Sequence, residues 1–183
     1  MSPGKYSKGA PGATVYHAVA QCGLGWLLVA ATRLGVCSVK LGDDSPQLVE
    51  ELRKEFPAAV HQEDREQLES WVIAVLEYLE GRHPALDLPL DVRATAFQRR
   101  VWQLLQTIPY GETRTYQEVA QEMGLENSSR AVGRACASNP TALIVPCHRV
   151  LRRAARWAAT AGDWTGKKLY WRWSAKAGRY RSS

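Results

Sequence analysis

Short runs rich in Val, Leu and Ala mark the first part of the chain. They cover residues 15–20, 26–31 and 36–41, and Gly-containing turns separate them. Apolar runs of this length, bounded by turn residues, are typical of β-strands. The pattern therefore predicts an antiparallel meander of three strands.

Helical spacing follows the meander. Leu48, Leu52 and Phe56 are four residues apart, and a second, wider apolar stripe ends before Gly81. That stripe is formed by Leu68, Trp71, Val72, Val75, Leu76 and Leu79. The spacing predicts two amphipathic helices. The Pro-interrupted run at 86–90 predicts an extended linker.

The second half of the chain predicts three helices. One carries Phe97, Val101, Leu104, Leu105 and Ile108 on a single face. The next starts at a capping box formed by Thr115 and Glu118 and ends at Gly124. The third runs from about 129 to 138, and only its arginines, Arg130 and Arg134, are large. The last two helices form a helix-turn-helix candidate, although close helix packing explains the small residues equally well.

Composition and charge narrow the class of protein. The 183 residues carry a net charge of +6, but the last 33 residues alone carry +8. No apolar run is long enough to cross a membrane. The four cysteines are widely spaced, which argues against a disulfide scaffold. The expectation is a globular cytoplasmic protein with no membrane association.

Cys147 has an unusual setting. It follows the apolar run 142–145 and lies between Pro146 and His148, with Arg149 next. A Cys after an apolar strand is usually a core residue. A neighbouring imidazole and guanidinium instead favour the thiolate, which is the nucleophilic form. Cys147 is therefore the candidate nucleophile.

These residues stand in an order that resembles the O6-alkylguanine-DNA alkyltransferase family, close to the C-terminal part of the bacterial adaptive-response protein. The Pro-Cys-His-Arg-Val signature is intact, and five upstream motifs match at 95–98, 108–112, 115–116, 130–133 and 137–140. The resemblance implies an α+β fold. It has a small N-terminal antiparallel sheet with helices, ribonuclease H-like, and a C-terminal helical, winged-helix-like DNA-binding domain. The predicted organisation is a tail at 1–13, a support domain at 14–91, a DNA-binding and alkyl-acceptor domain at 92–153 and an aberrant basic tail at 154–183.

The resemblance also implies a DNA-repair reaction. Cys147 would take the alkyl group from O6-methylguanine, and from O4-methylthymine, in double-stranded DNA, and each molecule would act once as a monomer. The damaged base must leave the stack, because stacking shields its O6 substituent. By resemblance His148 activates the thiol, Tyr116 turns the nucleotide, Asn139 braces the turn and Arg130 fills the vacated space. Ala131 and Arg134 join Arg130 and Tyr116 at the DNA. No cofactor and no metal are implied.

The resemblance ends shortly after Cys147. The family continues with a segment containing G-G-Y-R-W-G-L and a later Glu that orients the His, whereas residues 153–164 contain neither. Codons for residues 157–164 permit G-G-Y-R-W-G-L when they are read from the last base of the first codon. With an AGY codon for Ser174, the same frame would yield a Glu at that position. We therefore interpret 154–183 as an out-of-frame translation.

Three alternatives remain open. In the first, the chain is a DNA- or lesion-binding module with little or no alkyl transfer, because the pocket loop is lost. A cysteine hydrolase would need a second His from the first half of the chain. A zinc site would use Cys136, Cys147 and His148, but their spacing matches no closed ligand set.

Overall fold

A computed structural model of the chain describes residues 10–83, 86–109, 112–141 and 143–151. The chain divides into two compact units between Arg93 and Ala94. The predicted tail at 154–183 and most of the predicted tail at 1–13 lie outside the described residues. Residues 10–13 are described and packed, because Ala10 is fully buried and the carbonyl of Ala13 accepts a bond from Val60 N.

The N-terminal unit is built on a four-stranded sheet in the order β3-β2-β1-β4. Strands β1 (Thr14–Cys22), β2 (Gly25–Thr32) and β3 (Gly35–Gly42) form the predicted antiparallel meander. Strand β4 (Val60–Glu63) pairs in parallel with β1 and was not predicted. The predicted α+β class with an N-terminal antiparallel sheet is confirmed.

Two helices cover this sheet. Helix α1 (Ser45–Glu55) begins where the carboxylate of Asp44 accepts a bond from Gln47 N, and it buries Leu48 and Leu52. Helix α2 (Arg65–Leu79) begins in the same way at Asp64. Both apolar stripes therefore face the core, as their spacing predicts.

The predicted linker follows the edge of β3. Val36 N donates to the carbonyl of Pro89 at 2.7 Å, and Asp91 N donates to the carbonyl of Val36 at 2.8 Å. Gly35 has a φ of 153°, and a Cβ built there would lie 2.5 Å from the Pro89 oxygen. The close approach of the two backbones therefore requires glycine at this position.

The C-terminal unit is mainly helical, as predicted. Its elements are α3 (Ala96–Gln106), β5 (Arg114–Thr115), α4 (Tyr116–Glu122), α5 (Ser129–Ala137), a 3-10 turn (Cys147–Arg149) and β6 (Val150–Leu151). Helices α3 and α4 each begin at a complete capping box. Among the described residues, no helix is both long and apolar enough to cross a membrane.

Candidate functional site

Cys147 opens a buried 3-10 turn. Only 2% of Cys147 is exposed, and His148 and Arg149 are buried beside it. The backbone N–H of Cys147 donates to the carbonyl of Val145 at 2.7 Å, and Arg149 N donates to the carbonyl of Pro146 at 3.0 Å. These two bonds close the backbone tightly around Pro146, so the thiol is presented from a well-defined turn.

Asn139 holds the segment that leads into this turn. Its Nδ2 donates to the carbonyl of Val145 at 2.9 Å, and its Oδ1 accepts from Thr141 N at 3.0 Å and from Thr141 Oγ1 at 3.1 Å. The side chain is 2% exposed. The Val145 carbonyl thus receives two donors, Asn139 Nδ2 and the N–H of Cys147. Asn139 is therefore linked to the Cys147 backbone through a single shared acceptor, the Val145 carbonyl.

The segment between Asn139 and Cys147 is conformationally constrained. Leu143 is buried and has a φ of 77°, in the left-handed region that costs a non-glycine residue about 1–2 kcal/mol. Val145 N donates to the carbonyl of Thr141 at 3.1 Å. Backbone strain of this kind persists only where surrounding contacts enforce it. The hydrogen bonds of Asn139 and Thr141 provide such contacts.

Two contacts connect the turn and the strand after it to the rest of the C-terminal unit. Arg149 Nη1 donates to the carbonyl of Ile108, two residues beyond the end of α3. Strands β5 and β6 pair in parallel, with Arg114 opposite Val150 and Thr115 opposite Leu151. Thr115 is also the N-cap of α4, so Tyr116, the first residue of α4, follows directly on a residue paired with β6, the strand after the turn.

The remaining predicted site residues lie on α5. Arg130 and Arg134 are exposed and Ala131 is half-buried. A Cβ added at Gly133 would meet only Cε1 of Tyr116, at 4.0 Å. The ring of Tyr116 therefore lies close to the backbone of α5. Helices α4 and α5 together present an aromatic residue and two arginines.

The other cysteines differ from a nucleophile in their setting. All four cysteines lie among the described residues, and none is in a disulfide. Burial raises the pKa of the Cys22 thiol and raises that of Cys37 far above its usual value. Burial therefore favours the protonated thiol at both positions; Cys37 is a core residue as expected, whereas Cys22 is only half-buried. In the described part of the chain, no group of three or more His, Cys, Asp or Glu side chains is arranged to hold a metal ion.

Sequence reasoning missed several residues that shape this site. Thr141 is fully buried and supplies both groups that bond Asn139 Oδ1. Arg149 was interpreted only as a charge near the thiol, yet its guanidinium bonds the carbonyl of Ile108, just beyond α3. A polar Thr next to an Asn-Pro pair is a weak local signal, and nothing local indicates the partner of Arg149.

Two sequence profiles of one family match the chain. The profile of the 6-O-methylguanine DNA methyltransferase ribonuclease-like domain matches residues 15–92, and that of the DNA binding domain matches residues 96–174. The second match extends into the segment interpreted as out of frame. That interpretation stays a prediction, because the segment lies outside the described residues.

Curated relatives and solved structures agree with the profiles. The bifunctional transcriptional activator/DNA repair enzyme Ada of Escherichia coli is 42% identical over 177 residues, 97% of this chain and 48% of Ada. The inducible methylated-DNA–protein-cysteine methyltransferase of Bacillus subtilis is 36% identical over 123 residues, 67% of this chain and 69% of that protein. The chain spans about half the length of several curated relatives that it matches.

The crystal structure of Mycobacterium tuberculosis O6-methylguanine methyltransferase has a TM-score of 0.70 to this chain at 29% identity. The match covers 92% of this chain and 96% of that one. A structure of the same bacterium's OGT in complex with DNA has a TM-score of 0.68 at 28% identity.

Proposed function

Because the chain belongs to the 6-O-methylguanine DNA methyltransferase family, we propose that it repairs DNA by moving the alkyl group of O6-alkylguanine, and of O4-methylthymine, to the thiol of Cys147. The observation that carries the proposal is the buried 3-10 turn at Cys147, held through Val145 by Asn139. A nucleophile held at one position reacts faster than a mobile one.

The chemistry is a single displacement. His148 accepts the thiol proton through a water molecule, and the sulfur of Cys147 attacks the alkyl carbon. The S–C bond forms as the C–O6 bond breaks, and guanine leaves with the electron pair of that bond. A hydrogen bond from the Tyr116 hydroxyl stabilises the departing purine anion. No step uses a cofactor or a metal. The thioether product has no easy route back to a thiol, so each molecule acts once.

The base must leave the DNA stack before this step. A role of helices α4 and α5 in binding the duplex is supported by Tyr116 at the start of α4 and by the exposed Arg130 and Arg134 on α5. Arg130 fills the space that the base vacates. Arg134 and the small Ala131 allow α5 to approach the phosphates and the minor groove. The partner is therefore double-stranded DNA that contains O6-alkylguanine, bound by a monomer in the cytoplasm.

The domain organisation is part of the proposal. Residues 14–91 support the fold, 92–153 bind DNA and accept the alkyl group, and 154–183 are an out-of-frame tail. Sequencing the gene tests this last point directly. An unshifted frame whose codons are incompatible with G-Y-R-W-G would refute it.

Mass spectrometry after incubation with a duplex that contains one O6-methylguanine tests the transfer. We expect one added methyl group per molecule, located on the peptide that contains Cys147. Cys147→Ser should gain none. Cys136→Ala is the matched control, because Cys136 is an equally buried cysteine of the same unit, and it should keep the transfer.

Loss of the family's pocket loop favours one alternative function, a DNA-binding module without transfer. A second protein that carries the restored reading frame separates the two. The alternative would be supported for the chain as given if it binds the duplex without gaining a methyl group while the protein with the restored frame transfers the methyl group. No transfer by either chain would refute the proposed function.

A further inference from the structure

The C-terminal end of helix α5 is clamped by two side chains from helix α3. Gln98 Nε2 donates to Ser138 Oγ at 2.7 Å, and Trp102 Nε1 donates to the carbonyl of Ala135 at 2.9 Å. Ser138 follows α5 directly as its C-cap residue. The clamp thus joins the first two turns of α3 to the last turn of α5.

The carbonyl of Ala135 is the centre of this clamp. It accepts from Trp102 Nε1 and also from Ser138 Oγ, at 3.1 Å. The last carbonyls of a helix lack partners inside the helix. Here the Ala135 carbonyl bonds both an indole from α3 and a hydroxyl that Gln98 holds in place. The end of α5 therefore has a defined position against α3.

The residue after Ser138 is Asn139, which reaches the acceptor turn. Asn139 Nδ2 and the N–H of Cys147 share the Val145 carbonyl. A continuous path of hydrogen bonds and backbone therefore runs from Gln98 through Ser138 and Asn139 to the backbone of Cys147. The start of this path, at Gln98 and Ser138, lies at the surface of the unit.

Gln98 has two separate tasks. Its Oε1 accepts from Thr95 N at 2.8 Å, and its own N–H donates to Thr95 Oγ1, which completes the capping box of α3. Glu fills the same place in a capping box as well as Gln does. Only an amide also offers an N–H to Ser138. The choice of Gln therefore serves the clamp rather than the cap.

We propose that Gln98 and Ser138 form a positioning pair for alkyl transfer: their hydrogen bond sets the end of α5 and, through Asn139, the placement of Cys147. This inference rests on the proposed function. Neither residue touches the reacting atoms. Supporting contacts of this kind fix a reacting group to fractions of an ångström, and a displacement of about 1 Å slows a reaction by as much as about 100-fold.

Four variants test the pair. Gln98→Glu keeps the capping box but replaces the N–H donor with an acceptor, which draws the Ser138 hydroxyl away from the Ala135 carbonyl. Ser138→Ala removes the hydroxyl at an exposed position, so the fold is retained. Ser138→Thr restores the hydroxyl. The double variant Gln98→Glu/Ser138→Ala completes a double-mutant cycle with wild type and the two single variants.

Single-turnover transfer from an O6-methylguanine duplex is measured over a range of protein concentrations. This yields the rate at saturation and the concentration for half-maximal rate. We expect Gln98→Glu and Ser138→Ala to lower the saturating rate about three- to tenfold, the size of one net hydrogen bond, with half-maximal concentrations within about twofold of wild type. Ser138→Thr should restore the rate. The double variant should be no slower than the slower single variant, since both single variants break the bond from the Ser138 hydroxyl to the Ala135 carbonyl.

The outcomes separate this inference from the proposed function. No transfer by the wild-type chain, in the printed or the restored frame, would refute the proposed function itself. Wild-type transfer with unchanged saturating rates in both single variants would overturn the positioning role alone. A change confined to the half-maximal concentration would also overturn it, because that result assigns the pair to DNA binding.

Discussion

Replacing Asn139 with alanine is expected to loosen the turn before Cys147. The side chain is 2% exposed and forms three hydrogen bonds. In the alanine variant the buried Thr141 N–H loses its acceptor, which costs about 1–3 kcal/mol, and the lost bond to the Val145 carbonyl costs about 0.5–1.5 kcal/mol. The Val145 carbonyl keeps the N–H of Cys147 as a donor. The expected loss of local stability is therefore about 2–4 kcal/mol.

Thr141→Val is the matched control. Valine keeps the shape of the fully buried Thr141 and its backbone N–H, and it removes only the hydroxyl bond to Asn139 Oδ1. This variant should lose about 1 kcal/mol. The two variants therefore change the same small network by different and calculable amounts.

Hydrogen exchange followed by mass spectrometry measures the effect on the peptide 139–151. A loss of 2–4 kcal/mol corresponds to exchange that is about 30-fold to about 1000-fold faster, and a loss of about 1 kcal/mol corresponds to about fivefold. A peptide that covers α3 should exchange as in the wild type. Exchange in Asn139→Ala no faster than in Thr141→Val would refute the reasoning.

Three further predictions concern other features of the chain. Gly35→Ala should lower the unfolding free energy of the N-terminal unit by at least about 1 kcal/mol, because its Cβ would lie 2.5 Å from the carbonyl oxygen of Pro89. Gly23→Ala is the control, because a Cβ added there would meet nothing within 4 Å, and its unfolding free energy should stay within about 0.5 kcal/mol of wild type. Thermal unfolding measures both variants, and equal losses of stability in the two would contradict this account. Burial lowers the pKa of His17 below 6.5, so the unfolded chain binds the proton first and stability should fall as the pH drops below about 6.5. The difference in urea midpoint between wild type and His17→Gln should therefore not be the same at about pH 7.5 as at about pH 5.5. An equal difference at both pH values would contradict the lowered pKa of His17. Gly133→Ala should raise helix stability by about 0.5–1 kcal/mol and weaken duplex binding in fluorescence anisotropy; unchanged binding would rule out close approach of α5 to DNA.

Local signals predicted most of the helices. The capping box of Thr115 and Glu118 is complete within four residues, and it sets the start of α4 as predicted. Strand β4 is different, because Val60 is 62% exposed and the strand has no apolar alternation. Its place in the sheet depends on pairing with β1, more than forty residues earlier in the chain. Such pairing leaves no pattern within the strand itself.

The candidate site shows the same contrast between residues that local sequence signals predict and contacts that depend on distant parts of the chain. The Pro-Cys-His-Arg-Val signature predicts Cys147 as the alkyl acceptor, since the chemistry needs those residue types side by side. The contact of Gln98 with Ser138 spans forty residues, and it depends on how α3 and α5 pack. The bond of Arg149 to Ile108 spans forty-one residues. Sequence predicts the reacting group, whereas the contacts that hold it emerge only from the packed unit.

The hydrogen bonds of Asn139 also bear on the order of folding. They close loops of only two and six residues, whereas β5 and β6 join positions 36 residues apart. Short loops close at a small entropic cost and form early, while distant pairing forms late. The turn that carries the thiol should therefore assemble before it is aligned with Tyr116. Folding kinetics of Thr141→Val and of a β5 variant should differ accordingly: the first should slow folding, and the second should mainly speed unfolding. The opposite result would reverse this order.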